Sequence, residues 1–240
     1  VYKNKEYKIE IRLKGMSGEH WNQNIIRSYR IKIKNDKSIF GMRKLSLQPH
    51  KFRGSLSEWV FMKMLEDSDM IAHRLEFVEV VINGDSLGLY AIQEQYDKLL
   101  IENNKRKEGP IMGFDKDLFI SEVFKSKEAL DLRSTDGFYT APLTVNSENK
   151  YITDKHMSSL IQTGFQMLEG FRSQKLRPTE VFDYKMFAKL LAIRALLGSD
   201  EFDWRDIRFY LNPVTMKLEP IGREVHDSDL IGIKWWKANL

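Results

Sequence analysis

The sequence predicts an α+β fold of two parts, an antiparallel sheet with one helix followed by a mainly helical part that holds a late hairpin. Three observations predict it. YKIEIRLK and SYRIKIK alternate strictly between apolar and charged residues, which is the period of a half-buried strand. The period turns helical at SLSEWVFMKMLEDSD and again in two long runs after Thr153. RFYLNPVTMKLEPIG then reads as two short strands around a turn, set within the helical part.

Taken in order, Tyr7, Ile9, Ile11 and Leu13 face one way and Lys8, Glu10, Arg12 and Lys14 the other. Tyr29, Ile31 and Ile33 repeat the apolar face opposite Arg30, Lys32 and Lys34, and GMRKLSLQ continues the pattern after a turn at Asn35 to Lys37. Three antiparallel strands in sequence follow from this. In the next segment the spacing of Leu56, Trp59, Val60 and Met64 is helical, with Ser55 or Ser57 as N-cap. LEFVEVVINGDSLGLYAIQEQ is a hairpin, because Asn83-Gly84 supplies the positive φ angles of a tight turn. Tyr96 to Asn104 forms a short helix, and KRKEGPIMGF returns to an extended stretch after the Gly109-Pro110 breaker. Periodicity fades from about Asp117 to Asn149, which reads as an irregular insertion with a little helix. HMSSLIQTGFQMLEGF and VFDYKMFAKLLAIRALLGS are helices, the second capped by Thr179 and closed at Gly198.

Composition narrows the classes of function. The chain has 240 residues, 42% of them hydrophobic, enough for a substantial core. Thirty-eight basic against 34 acidic residues leave a net charge of +4, too slight to argue for nucleic acid. There is no cysteine, which excludes a disulfide framework and a thiolate metal site. No apolar run approaches the roughly 18 residues of a membrane span. The opening at VYKNKEYKIEIRLKG, without Met and almost directly in a strand, leads us to expect an excerpt of a longer protein whose targeting sequence lies outside it.

Three constellations carry chemistry. Arg12, Lys14, Arg30, Lys32, Lys34 and Lys44 share the outward face of the early strands, and neighbouring cations repel unless water or anions separate them. That face is either solvated or phosphate-binding. LLGSDEFDWRDIRFY sets Asp200, Glu201, Asp203 and Asp206 just before a strand, where crowded carboxylates raise one another's pKa unless a cation intervenes. Mg²⁺ with a nucleotide resolves that conflict; an acidic loop in water is the alternative. After the late hairpin, Gly222 leads to Glu224, His226 and Asp227, a second set of candidate ligands. The chain lacks GxxxxGK[ST], GxGxxG after a strand, HExxH and GxSxG. RLKGMSG has two glycines beside a strand, either a turn or a backbone approach to phosphate.

RLKG, SYRIKIK, GMRKLSLQ, SEWVF, VINGDSLGLYAIQEQYDK, ENNKRKEGPI and RFYLNPVTMKLEPIG, in that order, resemble the CotH kinase-like proteins, a family of atypical protein kinases named for a spore-coat protein. The resemblance runs from about Glu10 to Gly222 and is weakest between Phe119 and Lys150. It implies a two-lobed, atypical protein-kinase-like fold over the whole chain, with about 1–94 as the N-lobe and about 95–240 as the C-lobe. It also implies ATP and Mg²⁺ as cofactors and a protein as partner, with phosphoryl transfer to its Ser or Thr. Lys32 would lie on the phosphates with Glu58 orienting it, Arg30 being the second choice of cation, Lys14 a further phosphate contact and Glu94 near the adenine or ribose. Asp203 would orient the acceptor hydroxyl, Asp206 would stand where the family has a metal-binding Asn, and Glu224 and Asp227 would complete the metal site. Relatives place an Asp two residues after the glycine where this chain has Glu224, and an acidic pair near RLKG is reduced to Glu19 and His20. The alternative reading is therefore a catalytically impaired CotH-like surface or structural module. Spore coat, cell surface or secretion is the location that the resemblance suggests.

Overall fold

The computed structural model describes residues 2, 4–14, 27–35, 37–53, 56–115, 135–146, 154–198, 204 and 206–223. They form an α+β protein with two antiparallel sheets, in two compact units. The first runs from the N-terminus to Asn104 and takes in a helix end from Ile193; the second holds Lys105–Ala192 and the chain leading to Arg223.

In the first unit five strands stand in the order β1 (Ile9–Lys14), β2 (Ser28–Ile33), β3 (Lys44–Pro49), β5 (Asp85–Glu94) and β4 (Leu75–Ile82). The three expected early strands are present and antiparallel. One face of the sheet gathers Ile33, Leu45, Leu47, Tyr90 and Ile92 into a buried core. The β4–β5 hairpin turns on Asn83 and Gly84, with φ of 55° and 95°, so that Ile82 faces Asp85 across a two-residue loop. A bulge follows between Val80 and Val81, where Gly88 opposite Val80 takes φ 79°.

Helix α1 (Ser57–Asp67) differs from expectation in two ways. It begins after Leu56 with no side-chain cap, and its buried stripe is Glu58, Phe61, Met62 and Leu65. Leu56 and Val60, expected inward, are exposed. Both sets have helical spacing; the helix rolls toward the second because Glu58 finds a polar partner on the sheet. Helix α2 (Lys98–Asn103) lies within the expected Tyr96–Asn104 but starts two residues later, its Asp97 cap accepting from Leu100 N at 3.1 Å.

The second unit contains a four-stranded sheet in the order β7 (Leu143–Val145), β6 (Ile111–Phe114), β8 (Arg208–Asn212) and β9 (Lys217–Ile221). The late hairpin is β8–β9. It pairs with β6, a partner nearly a hundred residues away that no local pattern announces. Within the expected insertion, the described part is helix α3 (Thr135–Thr140) and strand β7. Helix α4 (Lys155–Arg172), capped by Asp154, buries Met157, Leu160, Gly164 and Leu168, of which Leu160 and Leu168 join this sheet's core and Gly164 lies against Met112.

The last long helix was expected to run unbroken from a Thr179 cap. Instead α5 (Pro178–Val181) follows an Arg177 cap, Phe182 is extended at φ −104°, ψ 153°, and α6 (Tyr184–Leu196) begins anew. The break has a tertiary cause. Phe182 bridges to Leu218 of β9 and packs in the core, Asp183 N donates to Leu218 O at 3.0 Å, and the Asp183 carboxylate then accepts from Lys185 N and Met186 N. The expected stop at Gly198 holds, with φ 67° just past the helix end.

Gly109 shows how closely this unit is built. A Cβ there would stand 2.5 Å from Leu211 O and 2.8 Å from the Tyr210 ring. Gly109→Ala is expected to cost about 1–3 kcal/mol, the usual penalty of overpacking, because backbone must move. Urea unfolding checks it; an unchanged midpoint would show that β8 yields freely.

Candidate functional site

The cationic face of the first sheet is the side of each strand opposite the apolar core. Antiparallel partners share a face, so the pairings order its side chains into rows. One row runs Arg12, Arg30, Ser46, Gln93; beside it stand Glu10, Lys32 and Lys44. Lys14 pairs with Ser28 at the strand end and donates its ammonium to Gln48 Oε1 at 2.9 Å. Glu10 offsets part of the positive charge. It accepts from Lys34 at 2.6 Å and from Arg12 at 2.7 Å, and these cations, Lys34 first, hold its carboxyl down at about 2.

Away from its cationic edge this face becomes buried yet stays polar. Ser28, Ser46, Gln48 and Gln93 are all buried. Helix α1 lays Glu58 onto the same face, where the Gln93 amide donates to Glu58 Oε1 at 2.7 Å. The carboxylate is 1% exposed. It sits in the first turn of its helix, where the macrodipole favours negative charge, and a buried carboxylate needs such help as well as its hydrogen bonds. Gln95 adds a bond to Ser46 Oγ at 3.0 Å. The register places Arg30, rather than Lys32, in the row that ends at Gln93 and Glu58. At about 4.8 Å per strand, Arg30 stands roughly 10 Å from Gln93.

Glu94 leaves β5 on the opposite face. Arg74 grips its carboxylate through Nε at 3.0 Å and a terminal nitrogen at 2.6 Å, and Asn103 donates at 3.3 Å. Arg74 also donates to the carbonyls of Phe40 and Gly41 at 2.9 and 3.0 Å, tying a turn, a strand end and a helix together. Burial raises the Glu94 carboxyl above its ordinary range against the opposing pull of Arg74. Sequence reasoning missed Arg74 as well as Gln93 and Gln48. In the structure Gly41, with φ of 74°, lies against the Arg74 guanidinium, whose tip is 2.4 Å from a would-be Cβ, and no pattern in the sequence marks that contact.

In the second unit the hairpin is locked from within. Asn212 Oδ1 accepts from Val214 N and Thr215 N across the turn, while its amide donates to Glu219 Oε1 at 2.6 Å. Arg106 donates to Glu219 Oε2 at 3.0 Å, and the Tyr210 hydroxyl to Lys107 O. Asn212, Glu219 and Arg106 thus fold the RFYLNPVTMKLEPIG hairpin and aim its end, Ile221-Gly222. Asp206 is half-buried just ahead of β8, near Trp204, whose ring packs on Phe114 and Phe138. Asp203, Glu224 and Asp227 lie outside the described residues, as do Asp200, Glu201 and His226. Among the described residues no group of three His, Asp or Glu side chains could hold a metal ion, and no helix is long and apolar enough to cross a membrane.

One face of the first sheet thus joins a row of cations to buried amides and a helix carboxylate, in a mixed α+β protein. The family described as CotH kinase protein matches residues 11–221, nearly the whole of the described chain, and the protein belongs to the CotH family. No curated protein matches it.

Proposed function

We propose that the protein binds ATP with Mg²⁺ and transfers the γ-phosphoryl group to Ser or Thr hydroxyls of a protein, as a two-lobed atypical kinase. The observation that carries this reading is the row from Arg30 through Ser46 and Gln93 to Glu58, in a chain of the CotH family. Phosphates are multiply charged anions, and Arg30, Lys32 and Lys14 supply the charge-assisted donors that such groups need. Glu58 restrains whichever cation extends along its row. Glu94 enters the reading at the adenine or ribose end, where a nucleotide would share carboxylate oxygens that Arg74 and Asn103 already hold. Asp203 takes the orienting role toward the acceptor hydroxyl, accepting its proton as the oxygen attacks. Asp206, Glu224 and Asp227 are hard oxygen donors of the type Mg²⁺ prefers, and the ion when bound neutralises phosphate charge.

Arg30→Ala and Lys32→Ala are each expected to weaken ATP binding about tenfold or more, since a hydrogen bond to a charged group is worth about 1.5–3 kcal/mol. Both side chains are exposed, so stability should hold. Calorimetric titration with and without Mg²⁺ decides the matter. Wild-type binding in both variants would remove the sheet face from the site.

A second reading rests on Glu224. If its longer side chain fails at the metal, the chain is a CotH-like surface or structural module, and it will be folded, stable and without phosphate transfer.

A further inference from the structure

The two edges of the first sheet are not alike. β4 carries the exposed Glu76 and Glu79 and is bent by the bulge at Val80/Val81, features that discourage another strand from pairing there. β1 is regular over six residues, and among the described residues no strand pairs with its outer edge. Lys34 N donates to Lys8 O at 2.9 Å, so in the antiparallel alternation Lys8, Glu10, Arg12 and Lys14 carry the bonds to β2. The N–H and C=O groups of Ile9, Ile11 and Leu13 therefore point away from the sheet. Their side chains are exposed as well, at 44%, 49% and 43%, although they continue the face that buries Ile33 and Leu45.

We propose that β1 is an interface between two copies of this chain, pairing antiparallel with its counterpart about a two-fold axis at Ile11. The sequence of the strand selects this register. With Ile11 opposite Ile11, Ile9 meets Leu13, and all three outward residues of each strand are hydrogen-bonded. On the other face Glu10 meets Arg12 of the second copy, and Arg12 meets its Glu10. The Arg12 side chain is 76% exposed and, among the described residues, is held by its own Glu10. Centring on Glu10 opposes two carboxylates and sets Lys8 against Arg12; centring on Arg12 opposes two guanidinium groups. Like charges directly across a strand pair are destabilising. The chosen register brings Lys8 opposite Lys14 only at the strand ends, where the Lys14 ammonium is turned aside onto Gln48. An isologous contact of this kind is closed, so it yields a dimer and not a filament.

The chain has no cysteine, which permits a test by position. Facing residues of a hydrogen-bonded antiparallel pair have Cα atoms about 5.5 Å apart, inside the range of about 4.4–6.8 Å that a disulfide spans. Ile11→Cys is therefore expected to cross-link two chains under mild oxidation. Leu13→Cys alone should not, its symmetry mate being four residues out of step, roughly 13 Å along the strand. Cross-linking that is absent at position 11, or equal at both positions, overturns the proposal. Sedimentation over a concentration series supplies the second arm. Arg12→Glu and Glu10→Arg should each be monomeric, and an equimolar mixture should restore a one-to-one dimer, because each variant presents the charge that the other lacks. A monomeric wild type, a dimer indifferent to charge reversal, or a mixture that stays monomeric would overturn it too.

Discussion

Arg106→Ala is expected to lower stability by about 3–5 kcal/mol, the usual loss when one partner of a buried ion pair is removed. Arg106 and Glu219 are 12% and 3% exposed as side chains, and the variant leaves the Glu219 carboxylate buried with the Asn212 amide still donating to it. Against a typical total of about 5–15 kcal/mol for a folded protein, that is a large share. For a chain of this size it corresponds to a fall on the order of 10 °C in melting temperature. The companion variant Arg106→Met/Glu219→Leu removes both charges and should recover most of the loss, because the main penalty is the unpaired charge and not the missing bond. A control comes from the exposed Arg177–Glu180 pair, where Arg177→Ala should cost about 1 kcal/mol or less. Thermal melts of the four proteins test the ordering. If Arg106→Ala melted with the wild type, the hairpin would be held by its core residues alone, and its Asn212–Glu219–Arg106 network would need another purpose.

Local chemistry accounts for what was legible beforehand. Asn83-Gly84 marks its own hairpin because positive φ at two successive residues is a requirement few sequences meet, and the alternating strands announce their period within six residues. What was not legible depends on partners far along the chain. Phe182 is apolar and sits in a run of good helix formers, yet its bridge to Leu218 extends it; nothing within ten residues of Phe182 contains Leu218. In α1 the apolar spacing favoured Leu56, Trp59, Val60 and Met64, and a carboxylate at position 58 argued against the true stripe. That objection fails only because Gln93, on a strand from a later hairpin, stands ready to donate. The cationic row was read correctly as one face from alternation alone. Its order was not, since which cation stands in line with Glu58 is a matter of register, and register needs both strands of every pair. Arg74 was invisible for a similar reason: its partners Phe40, Gly41 and Glu94 are scattered along the chain, far from one another in sequence. β1 makes the converse case. Its pattern was read as half-buried, and the structure leaves that face open because an edge strand has a neighbour on one side only.

Asp203→Asn is expected to reduce phosphate transfer by about 10²–10⁴-fold, the usual contribution of a positioned acid or base, while ATP binding stays within a few-fold of wild type. The separation follows from the role assigned to Asp203. A carboxylate that orients the acceptor hydroxyl and takes its proton acts on the second substrate, and an amide keeps its shape without its charge or basicity. The opposite signature belongs to Glu224. Glu224→Ala should abolish the Mg²⁺ dependence of ATP binding, whereas Glu224→Asp should raise turnover, because shortening the side chain by one methylene brings the carboxylate nearer the octahedral distances that Mg²⁺ demands. These expectations separate the two readings. In a working kinase, wild type transfers phosphate to added protein or to itself, and Asp203→Asn stops it with nucleotide affinity retained. In an impaired member of the family, wild type is silent and Glu224→Asp alone gains activity. A wild type that binds neither ATP nor Mg²⁺, with a Glu224→Asp variant equally inert, would sink the phosphoryl-transfer reading. The cationic face would then be a surface for other anions, and the hairpin that ends at Gly222 a purely structural element.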